Sequence, residues 1–157
     1  MPHLYYYLDF TVSIFVIYNY KVLLIHHREL NRWLPIGGHI EVGEDPEEAV
    51  FREVQQESGL EIELMGEKPP IQWEDVKTLH SPAYLDVHNI KGEHRHVGMI
   101  YFARAKSDAA ILASREHYAL QWFSIEDLET SALDIPQSVR FYGQEAIKRT
   151  GPSSDGV

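Results

Sequence analysis

The amino-terminal part of the chain carries a pattern of apolar positions that is typical of β-strands. Residues 9–18 are rich in β-branched and aromatic side chains, which favour extended structure. Asn19 and Tyr20 interrupt this pattern, and residues 21–27 are again mostly apolar. We therefore predict two neighbouring strands joined by a turn, followed by a basic loop over residues 26–33.

The rest of the chain mixes strand and helix patterns. Ser124 is a candidate N-cap for a helix over residues 125–129, and Pro136 opens a last helix that extends to about residue 148. A turn at Lys91-Gly92 separates two of the later strands. These strands are predicted at residues 61–65, 84–89, 96–105 and 120–123. The order indicates a mixed α/β chain, although periodicity alone leaves the sheet topology open.

A short helix is predicted over residues 46–58. Asp45 can cap its first turn, Pro46 suits the first helical position, and Glu48 completes a capping box. Ala49, Val50 and Val54 supply apolar positions on a helical period. Gly59 suits the left-handed conformation that follows the last turn of many helices.

This helix has an acidic face that could bind a metal ion. Glu53 and Glu57 are four residues apart and share one face, with Gln56 beside them. We expect this face to be partly exposed. Gly37 and Gly38 precede the helix, where a backbone without side chains can approach an ion or ligand closely. Carboxylates one turn apart can hold Mg²⁺ while substrate phosphates supply further oxygen ligands. A solvated acidic face without a metal is the alternative.

Residues 38–60 resemble the 23-residue signature of the Nudix family of Mg²⁺-dependent pyrophosphohydrolases. One signature position departs, because Gln56 replaces the first Glu of a Glu-Glu pair. The resemblance implies an α/β/α sandwich with a mixed β-sheet between helices, formed by one domain over residues 1–150. The positions in register are Gly38, Glu44, Arg52, Glu53, Val54, Glu57, Gly59 and Leu60.

The resemblance also implies an active site and a cofactor. Mg²⁺, for which Mn²⁺ may substitute, is expected on Glu53, Glu57 and Gly37. Arg52 is expected to orient the carboxylates by ion pairing. Glu116 lies six residues before Trp122, where MutT-type members of the family carry a further metal ligand or the base that activates water. Glu93 is the rival for this role.

Substrate recognition is less well specified by the sequence. His27, Arg28, Gly38 and His39 are candidates to contact the substrate phosphates. Trp33, Tyr84, Tyr101 and Phe141 are aromatic and can stack on a base, although aromatic residues at such positions more often belong to the core. MutT-type enzymes that select 8-oxoguanine use an Asn where this chain has Val139, which argues against oxidised guanine.

The favoured function is cleavage of a diphosphate linkage in a nucleoside triphosphate or a related nucleoside diphosphate derivative. Gln56 brings no charge to the site, and we expect fewer or looser metal sites than a full Glu-Glu pair would give. The alternative is therefore a catalytically weak domain that binds a nucleotide as a sensor.

Three histidines raise the further possibility of a zinc site. His94 and His96 alternate at strand spacing, and His88 lies in the preceding predicted strand. The chain has no cysteine and shows no third ligand at a characteristic interval, so the sequence disfavours zinc.

Bulk properties restrict the partners. A net charge of −10 argues against non-specific binding of long nucleic acids, which requires a basic surface. Without cysteine, disulfide and thiol chemistry are excluded. No signal peptide or membrane span is predicted, so we expect a cytoplasmic monomer or homodimer. Residues 151–157 are rich in Gly, Ser and Asp, and we expect them to be disordered.

Overall fold

The computed structural model describes residues 8–111 and 117–151 and has a mixed β-sheet between helices. The predicted α/β/α sandwich is thereby confirmed. None of the described helices is long and apolar enough to cross a membrane. In chain order the elements are β1 Leu8–Tyr18, β2 Lys21–His27, β3 Arg32–Leu34, β4 Ile36–His39, α1 Pro46–Ser58, β5 Ile62–Leu64, β6 Tyr84–Lys91, β7 His94–Ala105, β8 His117–Phe123, α2 Ile125–Thr130 and α3 Gln137–Thr150.

Strand β1 organises the sheet. Its residues 8–17 pair in parallel with residues 95–104 of β7. On the opposite side it pairs antiparallel with β4 near its start and with β2 at its end. Strand β7 also pairs with β5 and β6, and β2 pairs with β3 and β8. The last residue of β4 and the first residues of β7 are therefore brought together at the start of β1.

Side chains alternate between two apolar layers, because successive residues of a strand point to opposite faces of the sheet. Val12, Ile14 and Val16 of β1 face α1 and pack in a cluster with its Val50 and Val54. The intervening residues of β1 face the other way and pack with α2 and α3 in a second cluster. Its members include Phe15, Ile17, Phe102, Leu128, Val139 and Ile147. Each face of the sheet is thus covered by helices.

Most predicted elements are present, with shifted ends. The turn at Asn19 and Tyr20 is confirmed, since both residues have positive φ angles of 49° and 62°. The second predicted turn lies one residue later, at Gly92-Glu93. The predicted basic loop is wrong in part, because residues 32–34 form β3 and pair with the end of β2. The tail predicted to be disordered lies, apart from Gly151, outside the described residues.

Candidate active site

Helix α1 has the bounds predicted from the sequence. Asp45 Oδ1 accepts a hydrogen bond from the backbone N–H of Glu48 at 2.9 Å, and Glu48 Oε1 accepts from the N–H of Asp45 at 3.2 Å. Gly59 ends the helix with a φ of 68°, in the left-handed region. This reciprocal cap fixes where the helix begins, and therefore which side chains point to the sheet.

The two metal-binding candidates on α1 are buried. Glu53 and Glu57 are only 9% and 8% exposed, so the expectation of a partly exposed acidic face is wrong. Both side chains lie against the end of β4 rather than on the solvent side of the helix. A buried carboxylate requires hydrogen bonds or a cation to offset its desolvation, which an ordinary surface Glu does not.

The glycine pair Gly37-Gly38 of β4 lies directly against the two carboxylates. The backbone N–H of Gly37 donates to Glu57 Oε2 at 3.1 Å. A Cβ atom at Gly38 would lie 2.4 Å from Glu53 Oε1, and one at Gly37 would lie 2.4 Å from the carbonyl oxygen of Val12. Only glycine therefore fits at either position, since any side chain would displace the carboxylates or β1.

Arg52 joins the acidic residues into one network. Its guanidinium donates two bonds to Glu44, from Nε at 2.7 Å and Nη2 at 2.9 Å. Nη1 donates to Glu53 Oε1 at 2.7 Å, and Nη2 also donates to the carbonyl of His39 at 3.0 Å. Such a planar fork fixes carboxylates in position as well as attracting them. Arg52 thus holds Glu53 from one side, while Gly38 of β4 packs against it from the other.

The network shifts the acidity of its members in opposite directions. The hydrogen bond from Arg52 lowers the pKa of Glu44 to about 2, and the same contact raises the pKa of Arg52. Burial raises the pKa of Glu53 above its ordinary value; Arg52 opposes the shift, and the nearby charge of Glu57 adds to it. Glu44 is therefore a fixed negative partner, whereas Glu53 has the environment of a group that a bound cation would stabilise as a carboxylate.

A large cleft opens beside these carboxylates. Its volume of about 1550 Å³ exceeds the ~300–1,000 Å³ of an ordinary small-molecule pocket, so an extended ligand would fit. The α1 side contributes both carboxylates and the glycine pair. The residues that line it include Gly37, Gly38, Glu53, Glu57, His27, Arg32, His39, Asp9, His94, His96, Asp86, Val139 and Tyr142.

The predicted substrate-binding residues have different positions. His27, Gly38 and His39 line the cleft. Arg28 is exposed in the turn after β2 and is not among the described residues that line it. Arg32 also lines the cleft and pairs with Asp134 at 3.2 Å.

The loop carboxylate is not located by the structure. Glu116 lies outside the described residues. Its rival Glu93 is exposed in the turn between β6 and β7 and is not among the described cleft-lining residues. The choice between them therefore remains a prediction.

The base-stacking candidates divide between core and surface. Trp33 and Tyr101 are 8% and 2% exposed and belong to the core, whereas Phe141 is half exposed. Sequence reasoning missed Asp86 and Tyr142, which form a 2.7 Å hydrogen bond at the cleft wall. They lie 56 residues apart, on β6 and α3, and no spacing pattern connects them.

A second polar group lies at the same end of the sheet. His39 Nε2 is 3.2 Å from His96 Nε2, and Asp9 lies beside both. Burial, followed by the neighbouring histidines, lowers the pKa of His96 to about 4, although Asp9 opposes the shift. Asp9 was missed because it lies far from the histidines in sequence.

Comparison with known proteins decides which family carries this arrangement. A family model described as the NUDIX domain matches residues 8–142, which is most of the chain. The chain belongs to the Nudix family. It is therefore a hydrolase of the class that acts on pyrophosphate bonds, as the signature over residues 38–60 predicted.

Solved structures of Nudix proteins resemble the whole fold. A Nudix-family hydrolase from Clostridium perfringens is 33% identical with a TM-score of 0.79, and the match covers 91% of this chain and 98% of that one. A MutT Nudix hydrolase from Burkholderia pseudomallei shares 21% identity and a TM-score of 0.64, over 92% and 98% of the two chains. The second likeness shows the fold alone.

A mouse enzyme named oxidized purine nucleoside triphosphate hydrolase is 35% identical over 65 residues. This match covers 41% of this chain and 40% of the mouse enzyme. Less than half of that enzyme's length is therefore matched.

Proposed function

We propose that this Nudix hydrolase cleaves a diphosphate linkage of a nucleoside triphosphate, releasing the monophosphate and pyrophosphate, and that it requires Mg²⁺. The observation that carries the proposal is the buried pair Glu53 and Glu57, held against Gly37 and Gly38 at the edge of a large cleft. Two buried carboxylates in one helical turn are costly to the fold unless a cation joins them.

The donor set fits a hard divalent cation. Glu53 and Glu57 supply carboxylate oxygens, and β4 brings the backbone of Gly37 alongside them. The chain has no cysteine that could supply a thiolate. Mg²⁺ bound there would neutralise the phosphate charge and stabilise the charge that develops as the anhydride bond breaks. Mn²⁺, with similar ligand preferences, would substitute.

Arg52 acts on the carboxylates rather than on the substrate. Among the described residues, its hydrogen bonds go to Glu44, Glu53, Gln56 and the carbonyl of His39. It is therefore a positioning residue that holds Glu53 in the orientation a cation would need. Gln56 contributes only a long 3.5 Å contact to this network and leaves the two glutamates to carry the binding.

The phosphate-binding side of the cleft is formed by His27 and the backbone at Gly38, which contact the substrate in this proposal, and His39 borders them. Arg28 would contribute from the neighbouring turn. Either Glu57 or Glu116 deprotonates the attacking water, and the turn at Glu93 is the remaining alternative.

The nucleoside end would occupy the wall formed by Asp86 and Tyr142. The hydroxyl of Tyr142 donates to Asp86 at 2.7 Å, so the two groups together offer acceptor lone pairs to donors on the edge of a base. The likeness to the mouse enzyme favours a purine nucleoside triphosphate. Val139 lines the cleft where relatives selective for 8-oxoguanine carry Asn, which argues against that oxidised base.

A panel assay tests the proposal. The purified enzyme is incubated with Mg²⁺ and nucleoside triphosphates, nucleotide sugars or dinucleoside polyphosphates, and the products are separated by anion exchange. We expect monophosphate and pyrophosphate from a triphosphate as the fastest reaction. If every substrate binds but none is cleaved, the chain is the nucleotide sensor that Gln56 suggested instead.

A further inference from the structure

Three strands bring four metal-ligating side chains to one face of the sheet. Asp9 of β1 lies opposite His96 of β7, and Thr11 of β1 lies opposite His39 of β4. His94 precedes His96 by two residues and so shares its face. The four residues Asp9, His39, His94 and His96 are called the His₃Asp cluster below.

The His₃Asp cluster lines the same cleft as the carboxylate pair of α1, but its residues come from strands and lie on a different face of the sheet. Asp9 and Thr11 alternate with Val12, whose side chain packs toward α1. The cluster therefore lies on the opposite face of the sheet, the face that Phe15 shares with α3. His39 links the two sites only through its backbone, whose carbonyl accepts from Arg52.

The ligand atoms of Asp9, His94 and His96 all lie within 4.8 Å of one another, and His39 extends this group. Asp9 Oδ2 lies 2.8 Å from His94 Nε2, 3.5 Å from His39 Nε2 and 3.9 Å from His96 Nε2. The Nε2 atoms of His39 and His96 are 3.2 Å apart. Ligands at ~2.0–2.1 Å from a tetrahedral Zn²⁺ would be roughly 3.3 Å from one another. These four separations scatter around that value.

Hydrogen bonding alone accounts poorly for this arrangement. Three imidazole nitrogens lie within 3.9 Å of one carboxylate oxygen, and two of them also lie 3.2 Å from each other. A proton can satisfy only one direction of the contact between His39 and His96, whereas a central cation would satisfy every lone pair at once.

We propose that the His₃Asp cluster binds one Zn²⁺ ion per chain, independently of the Mg²⁺ site. Three imidazoles and one carboxylate are a donor set typical of zinc, and imidazole is a poor ligand for Mg²⁺. The ion would fasten the first residues of β1 and β7 to the last residue of β4. Sequence spacing alone did not predict this site, because Asp9 and His39 lie on other strands than His94 and His96.

The test measures zinc binding by the full chain in excess Mg²⁺, which occupies oxygen-ligand sites. Calorimetric titration with Zn²⁺ should give one tight site in the wild type and in a Glu53→Gln, Glu57→Gln double variant. His94→Ala, His96→Ala and Asp9→Asn should each weaken it by at least about tenfold, since loss of even an outer contact of a metal ligand costs ~10–100-fold. A tight zinc site that disappears in the double glutamate variant but survives in the histidine variants overturns the proposal.

The matched control is His88→Ala, which removes another histidine at this end of the sheet. His88 lies opposite His96 on β6, but its Nδ1 contacts Asp86 at 3.2 Å. We expect it to change zinc affinity by less than about twofold, and an effect as large as that of His94→Ala would show that the ligand set is wrong. Circular dichroism of each variant without metal confirms folding, and Co²⁺ substitution reports geometry: an octahedral spectrum in the wild type would contradict the proposal.

Discussion

At the residue scale, the active site depends on two buried glutamates. Arg52 bonds to Glu53, while Glu57 receives the N–H of Gly37. Arg52 also bonds to Glu44, so one guanidinium fixes two carboxylates. The burial of Glu53 and Glu57 beside the cleft is the physical basis for assigning the cation to these residues.

We expect Glu57→Gln to lower kcat more than tenfold, a loss above about 1.4 kcal/mol of transition-state stabilisation. The amide keeps an oxygen that can accept from Gly37, and it removes repulsion with Glu53, so stability should stay the same or rise. Steady-state kinetics and urea unfolding measure the two effects. Glu63→Gln, at an exposed position of β5, is the control. Retention of more than a tenth of the wild-type kcat would remove Glu57 from the site.

Gln56→Glu should tighten Mn²⁺ binding. Position 56 is exposed, so the added carboxylate costs little desolvation, and Gln56 Oε1 already approaches Arg52 Nη1. A third carboxylate beside Glu53 and Glu57 would attract the cation more strongly. Titration of Mn²⁺ by electron paramagnetic resonance should show a lower dissociation constant or an additional site. An unchanged titration would mean that position 56 does not sense the metal.

At the element scale, α1 and the glycine pair of β4 pack directly against each other. The capping box fixes which side of α1 faces the sheet, and the N–H of Gly37 then lies within hydrogen-bonding distance of Glu57. The local signals of Asp45, Pro46, Glu48 and Gly59 were sufficient to predict both helix ends. Short strands β3 and β4 had no such signals, because their pairing partners, not their own three or four residues, determine them.

Gly38→Ala should damage the site more than the fold. The added Cβ would meet Glu53 Oε1 at 2.4 Å and push that carboxylate away from its position. We expect weaker Mn²⁺ binding and a fall in kcat/KM of at least about tenfold, the equivalent of ~1.4 kcal/mol.

Its matched control is Gly43→Ala. Gly43 has a φ of 81° and no atom within 4 Å of an added Cβ. That change should cost about 1 kcal/mol or more of unfolding free energy through backbone strain, without altering metal affinity. If both variants bind Mn²⁺ equally well, close packing of Gly38 on Glu53 is not what positions the carboxylate.

At the scale of the whole molecule, the sheet assembles what the sequence keeps apart. The signature over residues 38–60 was sufficient to predict the fold and to single out Glu53 and Glu57 as candidates, but not their burial. Asp9, Asp86 and Tyr142 carried no local pattern, because their meeting depends on the parallel pairing of β1 with β7 and on the packing of α3. The burial of Glu53 and Glu57 likewise depends on β4, whose Gly37 and Gly38 lie over them.

The metal-free enzyme should show a pH-dependent difference from Glu53→Gln. Burial raises the pKa of Glu53, so the folded state binds that proton more tightly than the unfolded chain does. The contribution is fully present below the ordinary carboxyl pKa and is lost as pH rises through the folded value. Unfolding free energy, measured against pH in chelator, should therefore fall more steeply in the wild type than in the variant. Parallel curves would contradict the raised pKa.

The most direct test of the central claim is product formation as a function of Mg²⁺, followed by ³¹P nuclear magnetic resonance with the preferred nucleoside triphosphate. The wild type should produce monophosphate and pyrophosphate with a rate that saturates in Mg²⁺ and vanishes in chelator. The Glu53→Gln, Glu57→Gln double variant should remain folded and produce almost none at any Mg²⁺ concentration. Equal rates in the two proteins, or undiminished cleavage in chelator, would contradict a reaction based on the buried glutamate pair.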